Sequence, residues 1–490
     1  MGITLTDRPL FDAAFAVAGR AGFAICVVSS IGSTTAIASD FDPFGAQATV
    51  SVSPSKSLLN PDVSQGPCQT MPISGPLDLA TVAELALCNN TQTRQVWANV
   101  KIQAAQVGVA QSAYLPNVQA TGSRSKGYFD STVKDAPELD YQLHDTEHDA
   151  ALNLSWTLYD FGLRQANLEN ARQLLSAANS MQDATLQTVF ANAAQAYYDL
   201  QSAEGALDAS KEAEQAARES FEAAEAKYKA GVGALADKLQ AQTGYAQARL
   251  NRGKAEGDAK AVHGTLSVAM GLPANAQFVL AAVSKSLPDT AFVQSVDVLI
   301  DLAKRQHPSL VAAQAQVKAA EANIAAAKAE GLPTFSLIGT IDRNEQPGQY
   351  SFDTATNTST IGLQLKVPLF EGFGRVYRVQ AAKAQYEKTV ADLADAEQKI
   401  SLDVWKNYQA LYAETENLTT TEELLQSATL SFSIAQGRYK SGVGTIIELL
   451  NAQTALANAR QQKIQALSNW RSARIRLAAS LGQLGLWAVR

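Results

Sequence analysis

The chain repeats itself, and the repeat limits its folding more than any single motif does. Tyr228-Lys229-Ala230-Gly231-Val232-Gly233 and Tyr439-Lys440-Ser441-Gly442-Val443-Gly444 stand 211 residues apart. The same offset aligns Tyr197 with Tyr408, Leu207 with Leu418, Phe221 with Phe432, Leu266 with Leu477 and Gly271 with Gly482. Nearer the N-terminus Leu115-Pro116 matches Leu332-Pro333 at an offset of 217. The intervening loop is therefore shorter in the second copy, as an exposed loop tolerates. Two copies of one unit make up nearly all of the chain beyond residue 76, so whatever one copy forms the other must form too.

Within each copy the hydrophobic period changes in a fixed order. Residues 91–114 are rich in Ala, Gln and Val and read as a helix that stops at Leu115-Pro116. An alternating stretch follows, in which Ala150, Leu152, Leu154, Trp156 and Leu158 share one face opposite Asp149, Asn153, Ser155 and Thr157. The second copy does the same with Ile361, Leu363, Leu365, Val367 and Leu369 opposite Thr360, Gln364 and Lys366. The weaker strands before them, after Pro116 and Pro333, complete a hairpin per copy and four strands in all. Next comes a stretch without proline, Gly162 to Lys229 and again Gly374 to Lys440, long enough for a helix of roughly 100 Å. Val404, Leu411, Leu418, Leu425, Phe432 and Tyr439 recur every seven residues, the seam of a coiled coil. The Gly-Val-Gly triplets break these helices, and a returning helix ends near Gly271 and Gly482, which suit C-caps.

Composition excludes several classes. A net charge of −7 lacks the basic surplus of a nucleic-acid binder. With 46% apolar residues the chain can fill a core, yet no run of about 18 apolar residues forms a membrane-spanning helix. A membrane barrel leaves no such run. Four strands cannot close one alone, because known single-chain barrels begin at about eight. Exposed strand edges in lipid would leave backbone groups unpaired, so closure between chains is required. Three Cys and four His are too sparse for a zinc or iron–sulfur framework, and no Ser/His/Asp set, dinucleotide fingerprint or P-loop stands in a strand-to-helix context, so no cofactor and no enzyme activity are expected.

At the N-terminus Arg8 precedes a small, apolar stretch ending in Cys26-Val27-Val28, and Ala36-Ile37-Ala38 forms an A-x-A pattern before Ser39. Residues 1–38 read as a secretory signal, with a frayed helix as the alternative. Residues 39–75, rich in Ser, Pro, Asp and Gly, read as an extended arm. Beyond the signal the chain holds only Cys68 and Cys88, natural disulfide partners in an oxidising compartment, with a buried free thiol at Cys88 as the alternative. The expected organisation is then repeat 1 over 76–283, repeat 2 over 284–482 and a tail over 483–490.

These features resemble the TolC-like outer-membrane efflux and secretion channels from about residue 76 to 482. The resemblance is carried by the duplicated unit and by the helix starts at Cys88-Asn89-Asn90-Thr91 and Gln306-His307-Pro308. The hairpin exits at Leu158-Tyr159-Asp160-Phe161-Gly162 and Leu369-Phe370-Glu371-Gly372-Phe373-Gly374 carry it too, with the Tyr-Lys-x-Gly-Val-Gly tips. It implies a mainly α fold with a transmembrane β-barrel: a homotrimer with a twelve-stranded barrel in outer-membrane lipid and an α-helical tunnel in the periplasm. The partners implied are a periplasmic adaptor (membrane-fusion) protein, docking at Gly231, Val232, Gly233, Gly442, Val443 and Gly444, and an inner-membrane ABC or RND transporter.

The same resemblance puts a gate at the tips. Asp237 and Tyr439 fall at a linking aspartate and a linking tyrosine, Glu448 and Asn451 fall where the family often carries two aspartates, and Gly444 stands where a linking arginine can occur. Tyr439 equally continues the heptad, and the alternative for Asp237 is a solvated helix-start acid. His144-Asp145-Thr146-Glu147-His148-Asp149 reads as an exposed loop between two strands, with a metal site as the lesser alternative. The function implied is a passive conduit for drug efflux or type I protein secretion, and the competing reading is a periplasmic coiled-coil structural or adaptor protein.

Overall fold

A computed structural model describes residues 42–50, 75–281, 295–346 and 354–483. The signal segment, Cys68, most of the N-terminal arm and the C-terminal tail lie outside them. The chain divides into two units, Met1–Thr49 and Val50–Arg490. In the first, the Asp42 carboxylate accepts from the backbone amides of Ala46 and Gln47 at 3.0 and 2.7 Å, starting the short 3-10 turn Gln47–Thr49.

The second unit holds, in chain order, α1 (Leu79–Asn89), α2 (Thr91–Ser112), β1 (Asn117–Ser131), β2 (Tyr141–Tyr159), α3 (Leu163–Lys229) and α4 (Leu235–Ala269). It continues with α5 (Val296–Gln306), α6 (Pro308–Ala329), β3 (Thr334–Gln346), β4 (Thr354–Lys366), α7 (Gly374–Lys440) and α8 (Ile446–Ser480). The helices come in pairs of equal length: 11 residues for α1 and α5, 22 for α2 and α6, 67 for α3 and α7, 35 for α4 and α8. Among the described residues no helix is long and apolar enough to cross a membrane.

The same junction is capped twice with different chemistry. The Asn90 side chain accepts from the Gln92 amide at 2.8 Å to start α2. His307 does this for α6, its Nδ1 accepting from the Ser309 amide at 3.2 Å, with Pro308 at the first helical position where no N–H is needed. The returning helices end against these caps. Gly271, at φ +74°, lies so close to Asn89 that a Cβ would come within 2.7 Å, and Gly482, at φ +72°, packs likewise on Pro308 at 2.8 Å. Around the first junction Leu87, Leu186, Phe190, Leu200, Leu266 and Met270 form the main core.

The four strands make one antiparallel sheet in the order β1-β2-β3-β4, with registers such as Thr121↔Ala151, Leu152↔Ile341 and Ile338↔Gly362. One face is polar and the other apolar, and among the described residues none covers the apolar face: Leu152 is 49% and Leu363 76% exposed. Residues 144–149, expected as a loop, are instead part of β2, with Glu147 opposite Ser125 and His148 opposite Arg124. A ladder is built from backbone groups, so polar side chains do not end it. Among the described residues no group of three His, Cys, Asp or Glu side chains could hold a metal ion.

Sheet joins helix through matched arginines. Arg164 pairs with Asp160 at 2.8 Å and donates to the Thr157 carbonyl at 2.7 Å, while Arg375, 211 residues on, donates to the Gly331 carbonyl at 2.9 Å. Along α7 the expected seam is present. Val404, Leu411, Leu418 and Tyr439 are buried and Leu425 and Phe432 half-buried; Val404 packs on Leu299, Ala303 and Leu310, and the rest pack on α8 through Trp470, Leu477, Leu456 and Ile446. Each of the buried Val and Leu side chains contributes roughly 1.5–3 kcal/mol.

Candidate gate at the helix tips

Each long helix ends in the same turn. Beyond α3, the amides of Val232 and Gly231 donate to the Lys227 and Tyr228 carbonyls at 3.0 Å. Beyond α7, the Val443 amide donates to the Arg438 carbonyl at 3.0 Å and the Gly442 amide to that of Tyr439 at 3.3 Å. The first glycine of each triplet takes positive φ, +77° at Gly231 and +82° at Gly442, a conformation in which only glycine is unstrained. The second meets its own helix closely, since a Cβ on Gly444 would come within 2.9 Å of the Arg438 Cβ. Val232 and Val443 between them point outward, 78% and 71% exposed.

Below the turns all four long helices share one apolar cluster: Ala224 from α3, Ala241 from α4, Tyr439 from α7, and Ile446 and Leu449 from α8. Tyr439 is therefore a seam residue and a tip residue at once. Burial, with the nearby Asp237 carboxylate as a second cause, pushes its hydroxyl above the usual tyrosine range. Among the described residues no hydrogen bond joins Asp237 to Tyr439 within the chain. Lys227 reaches Tyr439 instead, donating to its backbone carbonyl at 2.9 Å with the ammonium 3.9 Å from the ring centroid.

Glu448 lies in the first turn of α8, where its amide donates to the Thr445 hydroxyl at 3.2 Å and its carboxylate stands 3.7 Å from Arg438 Nε. Asn451, one turn on, lines a groove with Glu448, Arg438, Ser431 and Ile434. The structure thus separates the four expected gate residues into two groups, Asp237 with Tyr439 and Glu448 with Asn451. Each group holds a basic residue that sequence reasoning missed. Lys227 and Arg438 were visible as one position of the repeat, 211 residues apart, each just before the tip tyrosine. Cys88, at the end of α1, is disulfide-bonded, and Cys68, named above as its partner, lies outside the described residues.

Residues 82–272 and 299–483 match the family described as outer membrane efflux protein. The chain belongs to that family. Among relatives, Protein CyaE of Bordetella pertussis is 30% identical over 410 residues, covering 84% of this chain and 85% of its own. Outer membrane protein TolC of Vibrio cholerae is 24% identical over 414 residues, covering 83% and 91%. Of solved structures, the CmeC outer membrane channel of Campylobacter jejuni superposes with a TM-score of 0.72 at 18% identity, over 83% of this chain and 86% of that one. As an outer membrane efflux protein the chain is an export channel of the outer membrane, with the long helix pairs as its periplasmic tunnel. Family membership displaces the competing reading of a periplasmic coiled-coil scaffold.

Proposed function

We propose that three copies of this chain form one conduit, a twelve-stranded barrel continued by a helical tunnel, and that residues 76–283 and 284–482 are two repeats of one structural unit. The observation that carries this reading is a four-stranded antiparallel sheet whose edges at β1 and β4 and whose apolar face are left open by the described residues. Three such sheets close into an even-numbered barrel within the known range and leave no edge in lipid. The polar face, with Asn153, Thr340 and Thr360 in line across β2, β3 and β4, then borders the channel.

The tunnel closes at the helix tips, where Asp237, Tyr439, Glu448 and Asn451 form the gate and aperture. The turns at Gly231, Val232, Gly233, Gly442, Val443 and Gly444 present two outward valines per chain to a periplasmic adaptor. An inner-membrane ABC or RND pump supplies the cargo, for drug efflux or type I protein secretion. Cys68 and Cys88 form the disulfide that ties the arm to α1.

Chemical cross-linking of outer-membrane extracts tests the assembly. The ladder is expected to stop at three chains, with a heat-dependent shift in gel mobility that marks a folded barrel. A ladder that stops at two or four would sink the trimer.

A further inference from the structure

The two tips differ at a position where the repeat would make them agree. Arg438 turns toward its own hairpin and pairs with Glu448 at 3.7 Å. Its counterpart Lys227 turns away from its own hairpin and onto Tyr439. The carbonyl it reaches belongs to the last turn of α7, where the helix lacks donors of its own and carries the negative end of its dipole. Its other donors are the backbone amides that close the turn, Gly442 at 3.3 Å and Ser441, so Lys227 supplies the side-chain bond that reaches it from another helix. The tyrosines record the asymmetry: Tyr439, under the ammonium, is 6% exposed, whereas Tyr228, with Lys238 at 5.6 Å from its ring, is 40% exposed.

We propose that Lys227 is a positioning residue of the closed tip: its ammonium pins the end of α7 to the end of α3 through the carbonyl and ring of Tyr439, and so sets where Glu448 and Asn451 stand. The proposal rests on reading the tips as the closing end of the channel. Both contacts bypass the tyrosine hydroxyl, so the pin needs the ring and the backbone, not the phenol. It is also one-directional. The α7–α8 hairpin is held by the α3–α4 hairpin, and the equivalent residue of α7 is spent on charge instead. Beneath the pin, Ala224, Ala241, Ile446 and Leu449 pack with Tyr439 in one apolar cluster.

The test compares Lys227→Met, which keeps an apolar stem without the charge, with Lys227→Arg, which keeps a cation able to donate and to stack on the ring. Backbone hydrogen exchange is read in the detergent-solubilised full chain, assembled or not, and single-channel conductance in planar bilayers. With Met, exchange over residues 439–446 is expected about tenfold faster, equivalent to about 1.4 kcal/mol, with residues 404–418 unchanged and conductance raised. Arg should bring both back toward the parent. Parent-like exchange and conductance with Met, or an Arg variant indistinguishable from Met, would overturn the pin. A parent protein that opens no channel in bilayers would overturn the channel reading instead, while the exchange comparison would still decide the pin.

Discussion

Arg438 and Glu448 are both about half exposed, so their ion pair is worth only about 0–1 kcal/mol. Breaking it leaves the fold intact and exposes its electrostatic effect on transport. Glu448→Gln is expected to lower cation selectivity and Arg438→Gln to raise it, measured as reversal potentials across a salt gradient, because fixed charge near a constriction sorts ions by sign. Equal reversal potentials in both variants would place the constriction elsewhere. His307 is a second residue whose charge matters. Its Nδ1 must be unprotonated to cap α6, and burial pushes its pKa down, only partly offset by Asp403. A depressed basic pKa means that the unfolded chain takes up the proton first as pH falls. The cap's contribution is complete above the ordinary imidazole value and is lost as pH drops through the lower folded value. The denaturation midpoint should therefore decline on acidification through that window, and His307→Asn, which keeps a capping acceptor, should flatten the decline.

At the scale of elements, the helix α7 stands on its seam and not on propensity. Leu411 is buried among Leu418, Ala466, Trp470 and Leu477. Leu411→Ala is expected to cost about 2–5 kcal/mol, seen as a lower denaturation midpoint with the far-ultraviolet helix signal retained at low denaturant. A midpoint shift under about 0.5 kcal/mol, the usual range for surface changes, would mean that the seam is not the core of that hairpin. The helices were legible because a seven-residue period and the absence of proline leave one regular structure for 67 residues. The strands were legible only in part. Alternation marked Ala150 to Leu158, but β2 begins at Tyr141, because its polar first half pairs through backbone groups that no side-chain pattern announces.

At the scale of the whole molecule, the proposed disulfide makes its own prediction. Unreduced, denatured protein should yield no alkylated thiol at Cys68 or Cys88, and two freely modified thiols would refute the pairing. The β-hairpins, the long paired helices and their glycine-bounded tips could all be read from residue order. Each is a local matter of period, proline and glycine, and each helix boundary in the first copy recurs in the second, while the strands differ in length. The partners at the tips could not be read that way. Lys227 and Arg438 are both cations at the same offset before a tip tyrosine, yet one crosses to Tyr439 and the other stays with Glu448. Only the packing of the two hairpins decided this. It buried Tyr439 and brought the end of α7 within reach of α3, so a carbonyl and an aromatic face became available to one cation and not to its twin.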